Sequence, residues 1–422
     1  MANPFAWLTH KKQKRKLGAK KTMQNLYKHQ AEFLQKNPDC TALVWSCGLG
    51  KTLAACMWGK QKGGTTLIIC PKALRETWTR QAEDVNLMPP SKEYGQYIFS
   101  KEEFRKDADK LKKFDNVIVD EYHSAGFVTP HGKSQMAQAF KNYLKTNNVK
   151  RILMSSATPG QNPWQIYQLA TLLGYRIDWQ KFKYTFFTDV RMGARTIPVA
   201  KKGMEAKLAH IVKQVSDVVA LEDTMDVPPQ VHSDPELYEL TKEQKIAIDN
   251  AYDPVPIVRY TKQHEIENGI LKDPDTFFPS EKLERIKQLV EEHPKIAIVC
   301  RYNLQIDSIK QVIPNALVIR GDTKDRDALT HAADAATEAV VLIQADTAEG
   351  YELPSFPICV FASMSYSYSK FVQVCGRFLR INAPSKTVFL YLITEGDSID
   401  KAVWEAIQRK EDFQIELYAR EK

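Results

Sequence analysis

The sequence predicts an α/β protein built on two tandem parallel sheets, and three observations carry that reading. Runs of four to seven aliphatic and β-branched residues recur without polar alternation, as strands buried on both faces require. Helix-length stretches separate these runs, so successive strands are joined by crossovers rather than tight hairpins. The pattern also occurs twice, interrupted at VPPQVHSDPEL, where Pro228, Pro229 and Pro235 break regular structure. A chain of 422 residues suits such a division, since a domain usually takes ~100–200 residues.

Residues 1–22 form a basic N-terminal segment carrying Lys11, Lys12, Lys14, Arg15, Lys16, Lys20 and Lys21. Its few apolar residues precede its cations, the reverse of a secretory signal, so it reads as part of a mature, non-secreted chain. Together with a net charge of +8 it points to a polyanionic partner, with a solvated basic tail as the alternative. Residues 23–227 read as a first lobe with strands TALVWS, TTLIIC, QYIFS, NVIVD and RILMSS. Within it, about 176–225, the aromatic KFKYTFF and basic VAKKGMEAK mark a helical insertion. A connector over 228–279 leads to a second lobe over 280–422. Ser280 is the expected N-cap of the amphipathic helix in FFPSEKLERIKQL, and KIAIVC, ALVIR, AVVLIQ, ICVFAS and TVFLYLI are its strands.

Composition excludes several classes. Apolar residues at 43% and charged residues at 26% fit a soluble globular protein, and no run approaches the ~20 apolar residues of a membrane span. The seven cysteines form no C-x-x-C pair and several sit in apolar runs, so reduced, mostly buried thiols are expected. The nine histidines show no H-E-x-x-H grouping, and no structural zinc site is expected.

The chemistry concentrates in four places. Strand TALVWS runs into CGLG and then helix KTLAACMWGK. A strand, a glycine loop and a helix N-terminus present backbone N–H groups to an anion. Lys51 adds a charge for the β- and γ-phosphates, and the Thr52 hydroxyl suits Mg²⁺. Trp45 stands where the usual pattern has glycine. NVIVDEYH puts Asp120 and Glu121 at the carboxyl edge of the sheet, the first suited to hold a metal directly or through water, the second to activate water. RILMSSATP brings Ser155, Ser156 and Thr158 to a strand end, where hydroxyls can bond those carboxylates. KFVQVCGRFLR carries Arg377 and Arg380 three apart, on one helical face if the helix persists, suited to charge developing on a γ-phosphate.

Taken together, LYKHQ, CGLGKT, CPKALRETW, DEYH, SSATP, KIAIVCRYN, ADTAEGYEL and QVCGRFLR resemble, in order, motifs Q, I, Ia, II, III, IV, V and VI of superfamily 2 helicases. LIICPKALRETW, VPPQ, SEKLERI and LITEGDSIDKAVWEAIQRK further resemble the Swi/Snf-type translocases, and the compact length resembles their small phage and bacterial members. The resemblance implies two RecA-like lobes with an ATP cleft between them. It implies that Gln30 reads the adenine edge, and that Gly48, Leu49, Gly50, Lys51 and Thr52 hold the phosphates. Asp120 and Thr52 serve Mg²⁺, and Glu121 activates water. Ser156 and Thr158 couple the lobes, Gly350 and Gln373 contribute to the nucleotide site, and Arg377 and Arg380 act as fingers. Pro71, Lys72 and Thr347 would touch nucleic-acid backbone, with Arg75, Lys101, Arg301 and Lys370 as further cations near strand ends. Tyr122 and Glu352 depart from the usual letters of motifs II and V.

The implied protein is an intracellular, monomeric, DNA-dependent ATPase. It would work in the cytoplasm of a bacterium or a phage-infected cell and move along or remodel single- or double-stranded, forked or branched DNA. RNA as the track, a strand-separating helicase, a packaging-type motor and a nucleic-acid-binding scaffold with a degenerate ATPase are the alternatives.

Overall fold

The computed structural model describes residues 26–87, 95–123, 126–127, 134–157, 160, 163–192, 195–201, 203–220, 223–224, 230–347, 350–379, 386–413, 415 and 418. The basic segment over 1–22 therefore lies outside the described residues, as do Thr158 and Arg380.

The first unit runs α1 (Lys28–Lys36), β1 (Cys40–Trp45), α2 (Lys51–Lys62), β2 (Thr66–Cys70), α3 (Arg75–Asp84), β3 (Ile98–Ser100), α4 (Lys101–Asp107), β4 (Asn116–Asp120), α5 (Gln135–Thr146) and β5 (Arg151–Ser156). It continues through α6 (Pro163–Leu172), α7 (Trp179–Phe186), β6 (Phe187–Met192), β7 (Arg195–Ala200), α8 (Glu205–Val215) and β8 (Ser216–Val219). Six strands form one parallel sheet in the order β3-β2-β4-β5-β1-β8. Its side chains feed two apolar clusters, one centred on Val117, Val119 and Phe140, the other on Leu43, Trp58 and Ile68. Both faces are covered, which is why the strands read as continuous apolar runs.

The second unit runs β9 (Val231–His232), β10 (Glu236–Tyr238), α9 (Lys242–Asn250), α10 (Pro256–Glu267), β11 (Ile270–Leu271), β12 (Thr276–Phe277), α11 (Glu281–Glu292), β13 (Lys295–Cys300), α12 (Asn303–Val312) and β14 (Leu317–Ile319). After these come α13 (Arg326–Ala335), β15 (Ala339–Gln344), β16 (Ile358–Phe361), α14 (Tyr368–Cys375), β17 (Val388–Thr394) and α15 (Ile399–Gln408). The sheet order is β10-β17-β16-β13-β15-β14, with β9 also on β17, and all pairings are parallel. The fold is thus two tandem RecA-like parallel-sheet lobes.

Three expectations need correction. The insertion over 176–225 is not simply helical: β6 and β7 form an antiparallel ribbon between α7 and α8, and β8 returns to the first sheet as the edge strand beside β1. The connector over 228–279 is more than a linker, because β9 and β10 within it are edge strands of the second sheet. Ser280 does take the N-cap position of α11, but its hydroxyl makes no capping bond.

A buried polar knot explains how α10 is fixed to the second sheet. Asp400 at the start of α15 accepts bonds from Lys282 and from His264 Nε2 (3.2 Å), while Tyr302 and Tyr366 hydroxyls meet His264 Nδ1 at 2.7 and 2.9 Å. Burial pushes the Asp400 carboxyl up, but the Lys282 and His264 contacts outweigh it and hold the group below its ordinary range. Glu267 accepts from the amides of Ile399 (3.1 Å) and Asp400 (3.0 Å) at the α15 N-terminus. Burial, then the neighbouring Asp400, raises its pKa to about 7.

Candidate active site

The sheet order brings the first-lobe motifs side by side. β4 and β5 are adjacent, with Asp120 opposite Ser155, and Ser156 in turn lies opposite Val44 of β1, which leads into the glycine loop. All these residues sit at carboxyl ends of parallel strands, where ligands bind in open α/β sheets.

The glycine loop has the curvature that the sequence implies. Gly48 at φ +83° and Gly50 at φ +73° take the left-handed conformation that a side chain disfavours, and Gly50 opens α2 as its N-cap. Lys51 Nζ donates to the carbonyls of Trp45 (2.9 Å) and Ser46 (3.2 Å). Thr52, half-buried, is the second residue of that helix.

Trp45 lies outside the curved loop, as the last residue of β1. Its ring is fully buried, edge-on to His29 and Phe33, and its indole N–H donates to Asp217 (2.8 Å), which also pairs with Lys36. The tryptophan is therefore a core anchor between α1 and the edge strand and leaves the loop itself intact.

Gln30 is engaged by the chain itself. Its Oε1 accepts from the Tyr27 amide (3.0 Å), and its Nε2 faces the carbonyls of Leu49 (3.4 Å) and Gly50 (3.2 Å). His29 contacts the same Leu49 carbonyl at 2.9 Å. Both residues clamp the back of the loop and so position it.

The acidic pair is tightly held. Asp120 accepts from Trp78 Nε1 (2.8 Å), Ser155 Oγ (2.6 Å) and the Glu121 amide (3.1 Å). Three donors keep it in one orientation. Both carboxylate oxygens are engaged, so the donor set fits Mg²⁺ through a bridging water better than by direct ligation. Glu121 sits at φ +47°, a strained left-handed conformation that is uncommon outside glycine and clusters at functional sites. Lys101 Nζ faces its carbonyl at 3.4 Å, and Ser156 Oγ faces its carboxylate at 3.5 Å. Lys101, expected from the sequence as a cation facing nucleic acid, is instead buried beside Glu121.

His123, which was given no role from the sequence, connects the lobes. Its Nδ1 meets Ser156 Oγ at 2.6 Å, and its Nε2 meets Ser369 Oγ of α14 at 3.0 Å. Burial, with Lys101, Lys370 and Lys51 nearby, depresses its pKa to about 3, so the ring is neutral at physiological pH. One turn further along α14, Gln373 Nε2 faces Glu121 Oε2 at 3.4 Å. Gly376 lies against the glycine loop, since a Cβ there would fall 2.3 Å from Cys47 Cβ and 2.8 Å from its sulfur. Gly350, at φ +79°, similarly rests 3.5 Å from Ala73 of the first lobe, measured from its would-be Cβ.

The arginine expectation is corrected in its geometry. Helix α14 ends at Cys375, so Arg377 stands beyond the helix rather than on one of its faces. Arg377 directly follows the glycine that touches Cys47, and its carbonyl accepts from the Leu353 amide (3.0 Å), next to Glu352. Its guanidinium lies 5.9 Å from the Tyr351 ring centre.

Among residues expected to face nucleic acid, Lys72 is exposed, whereas Pro71 is buried. Arg75 is paired with Glu103, and the Thr347 hydroxyl turns inward to Gln344 at 2.5 Å. Arg301 stacks over Tyr366 with its guanidinium carbon 3.5 Å from the ring centre and lies 4.0 Å from Asp346.

The residues missed in the sequence were visible but silent: Trp78 closes the quoted CPKALRETW, and His123 is the fourth letter of DEYH. Nothing in one chain says that an indole will reach a carboxylate forty-two positions away. Tyr122, the departing third letter, is fully buried in the core beneath, with its ring edge-on to His123 at 6.2 Å and its amide donating to the Ser155 carbonyl at 3.4 Å.

The arrangement is therefore a glycine-loop anion site and an acidic strand end in one parallel-sheet lobe, contacted directly by a helix of a second. No family model matches the chain, and none of the curated proteins matches it. Among solved structures it is similar to the SWI2/SNF2 ATPase core of Sulfolobus solfataricus in complex with double-stranded DNA, at a TM-score of 0.40 and 15% identity, over 94% of this chain and 92% of that chain. Among the described residues, no helix is long and apolar enough to cross a membrane.

Proposed function

We propose that this protein is an ATP-dependent nucleic-acid translocase of superfamily 2, hydrolysing ATP to move along or remodel DNA. The observation that carries the reading is the meeting of the lobes at Glu121. Gln373 approaches its carboxylate, and His123 joins Ser156 to Ser369. A group positioned to activate water is thereby coupled to the position of the second lobe. The motif series from LYKHQ to QVCGRFLR adds the family expectation.

In this reading Lys51 exchanges the Trp45 and Ser46 carbonyls for phosphate oxygens, and Gly48, Leu49 and Gly50 shape the loop around them. Thr52 and Asp120 would hold Mg²⁺, which would supply neutralising charge to the phosphates. Glu121 orients and deprotonates water, and Arg377 and Arg380 meet charge developing on the transferred group. Lys72 and Arg301 contact backbone phosphates at the two lobes, so binding is largely sequence-independent.

The test is ATP hydrolysis without polymer and with single-stranded, double-stranded or forked DNA, or RNA, followed by third-strand displacement. Duplex stimulation with displacement supports the reading, and stimulation by RNA alone overturns the choice of track. Lys51→Ala loses turnover and movement together, whereas a scaffold keeps its binding function without either.

A further inference from the structure

The module from α7 to α8 takes no part in the nucleotide site. Its antiparallel ribbon starts at Phe187 and Ala200 and runs in register to the pair Met192 and Arg195. The root is anchored: Phe187 packs with Trp164, Trp179 and Phe182 on the first-sheet face opposite the cluster that buries α2. In the half of the ribbon next to the root, Thr188, Asp189, Val190, Val199 and Ala200 are all exposed, and these residues alternate between its two faces. An isolated two-stranded ribbon is marginal in water, and the exposed residues next to this one's root leave room for a partner that covers it.

Charge identifies that partner. Residues 176–215 hold nine Lys or Arg against three Asp or Glu, six of the chain's net +8. The three acids are all engaged locally. Asp178 caps α7 through the Lys181 amide (2.8 Å), Asp189 pairs with Lys183 (2.8 Å), and Glu205 accepts from the Gly203 amide (3.3 Å). Arg191 and Arg195 occupy positions near the ribbon's far end on opposite faces, as the register with Thr196 and Met192 requires. Tyr184, 84% exposed on α7 with Lys201 over its ring at 5.3 Å, adds an aromatic surface beside the ribbon.

We propose that this ribbon is a second nucleic-acid contact, entering a groove of duplex DNA away from the interlobe site. Six residues a strand give a length of about 20 Å at ~3.3 Å per residue, and a groove of B-DNA is wide enough for a two-stranded ribbon. The inference rests on the nucleic-acid reading above but on none of its catalytic residues. It gives the first lobe a hold on the duplex that does not depend on the state of the nucleotide.

The experiment uses the full chain with Arg191→Ala and Arg195→Ala combined. Duplex binding is measured by fluorescence anisotropy across salt, beside ATPase stimulation and the thermal midpoint. Basal ATP turnover and the midpoint stay at wild-type values. The slope of log K against log salt becomes shallower by about 2, since each lost phosphate contact removes about 0.9. The effect is larger on duplex than on single strands of equal length. An unchanged duplex affinity and slope overturns the proposal, including when DNA still stimulates ATP turnover, which leaves the motor reading standing. An equal effect on single strands overturns the groove. Ribbon-dependent binding without stimulation in either protein upholds the ribbon and sinks the motor.

Discussion

Gly376→Ala is the substitution that isolates the seam between the lobes. Judged from its own backbone, the change is favourable. Gly376 closes α14 at φ −64° in the right-handed region, where alanine stabilises by about 0.4–1 kcal/mol through the unfolded chain. Judged across the seam, it is not. The new methyl would lie 2.3 Å from Cys47 Cβ, and that atom is fixed to the loop backbone and cannot rotate aside. Carbon atoms rest about 3.5–4.0 Å apart, so α14 and the glycine loop must separate by about 1.2–1.7 Å. Added to the present 3.4 Å between Gln373 and Glu121 and 3.0 Å between Ser369 and His123, that shift takes both pairs out of hydrogen-bond range. A misplacement of this size lowers turnover about a hundredfold. The assay is steady-state ATP hydrolysis beside the thermal midpoint, with kcat falling while the midpoint holds or rises. Cys47→Gly in the same chain removes the opposing Cβ and restores most of the loss. Wild-type kcat in the single variant, or no recovery in the double, refutes the steric reasoning.

Other groups give sharper local tests. Trp78→Phe keeps the ring and removes the donor to Asp120, leaving a buried carboxylate one bond short; stability in urea falls by about 1–3 kcal/mol and kcat falls with it. Lys282→Met strands Asp400 as a buried charge and removes about 3–5 kcal/mol in the same assay, most of it regained when Asp400→Leu is added. His123, depressed from 6.5 to about 3, favours the fold fully above pH 6.5, and that contribution is lost as pH falls towards 3. The wild-type protein therefore loses up to ~1.4 kcal/mol more per pH unit than His123→Gln below pH 6.5, read from urea midpoints; parallel curves would show that the ring charges freely.

The two-lobed fold was legible because buried parallel strands leave unbroken apolar runs, and KIAIVC, AVVLIQ and NVIVD each became a central strand. The placement of Asp120 and Glu121 at a parallel-strand end, and of Lys51 at the helix start after the glycine loop, was legible because the apolar runs fix where the strands stop. The ribbon was hidden, since FTDVRM and RTIPVA carry no hairpin signal strong enough to compete with the helical stretches around them. The end of α14 was hidden for a different reason: glycine at 376 reads as neutral in sequence, and only its contact with Cys47 explains it. Gln30 has a second use that its motif does not announce. The residue type and place match, and the amide also meets Tyr27, Leu49 and Gly50.

Electrostatics ties the seam to the nucleotide. Lys51 and Lys101 of the first lobe and Lys370 of the second all lie close enough to His123 to depress its titration. Positive charge from both lobes therefore converges on one small volume beside Glu121. Like charges there oppose closure, and the polar contacts across the seam must overcome that repulsion. A polyanion seated on the glycine loop reverses the sign, because each lysine then attracts the same group instead of repelling its neighbours. Lys51, bonded only to neutral carbonyls, is free to make that exchange. On the proposed reading, phosphate binding therefore favours closure of the seam, and loss of the terminal phosphate restores the repulsion. Lys370→Glu tests the sign directly. By adding a negative charge to the second lobe it favours closure without nucleotide and weakens the closed state with it, so the nucleotide-dependent change in small-angle scattering shrinks. A change as large as that of the wild-type protein would remove charge from the account of closure.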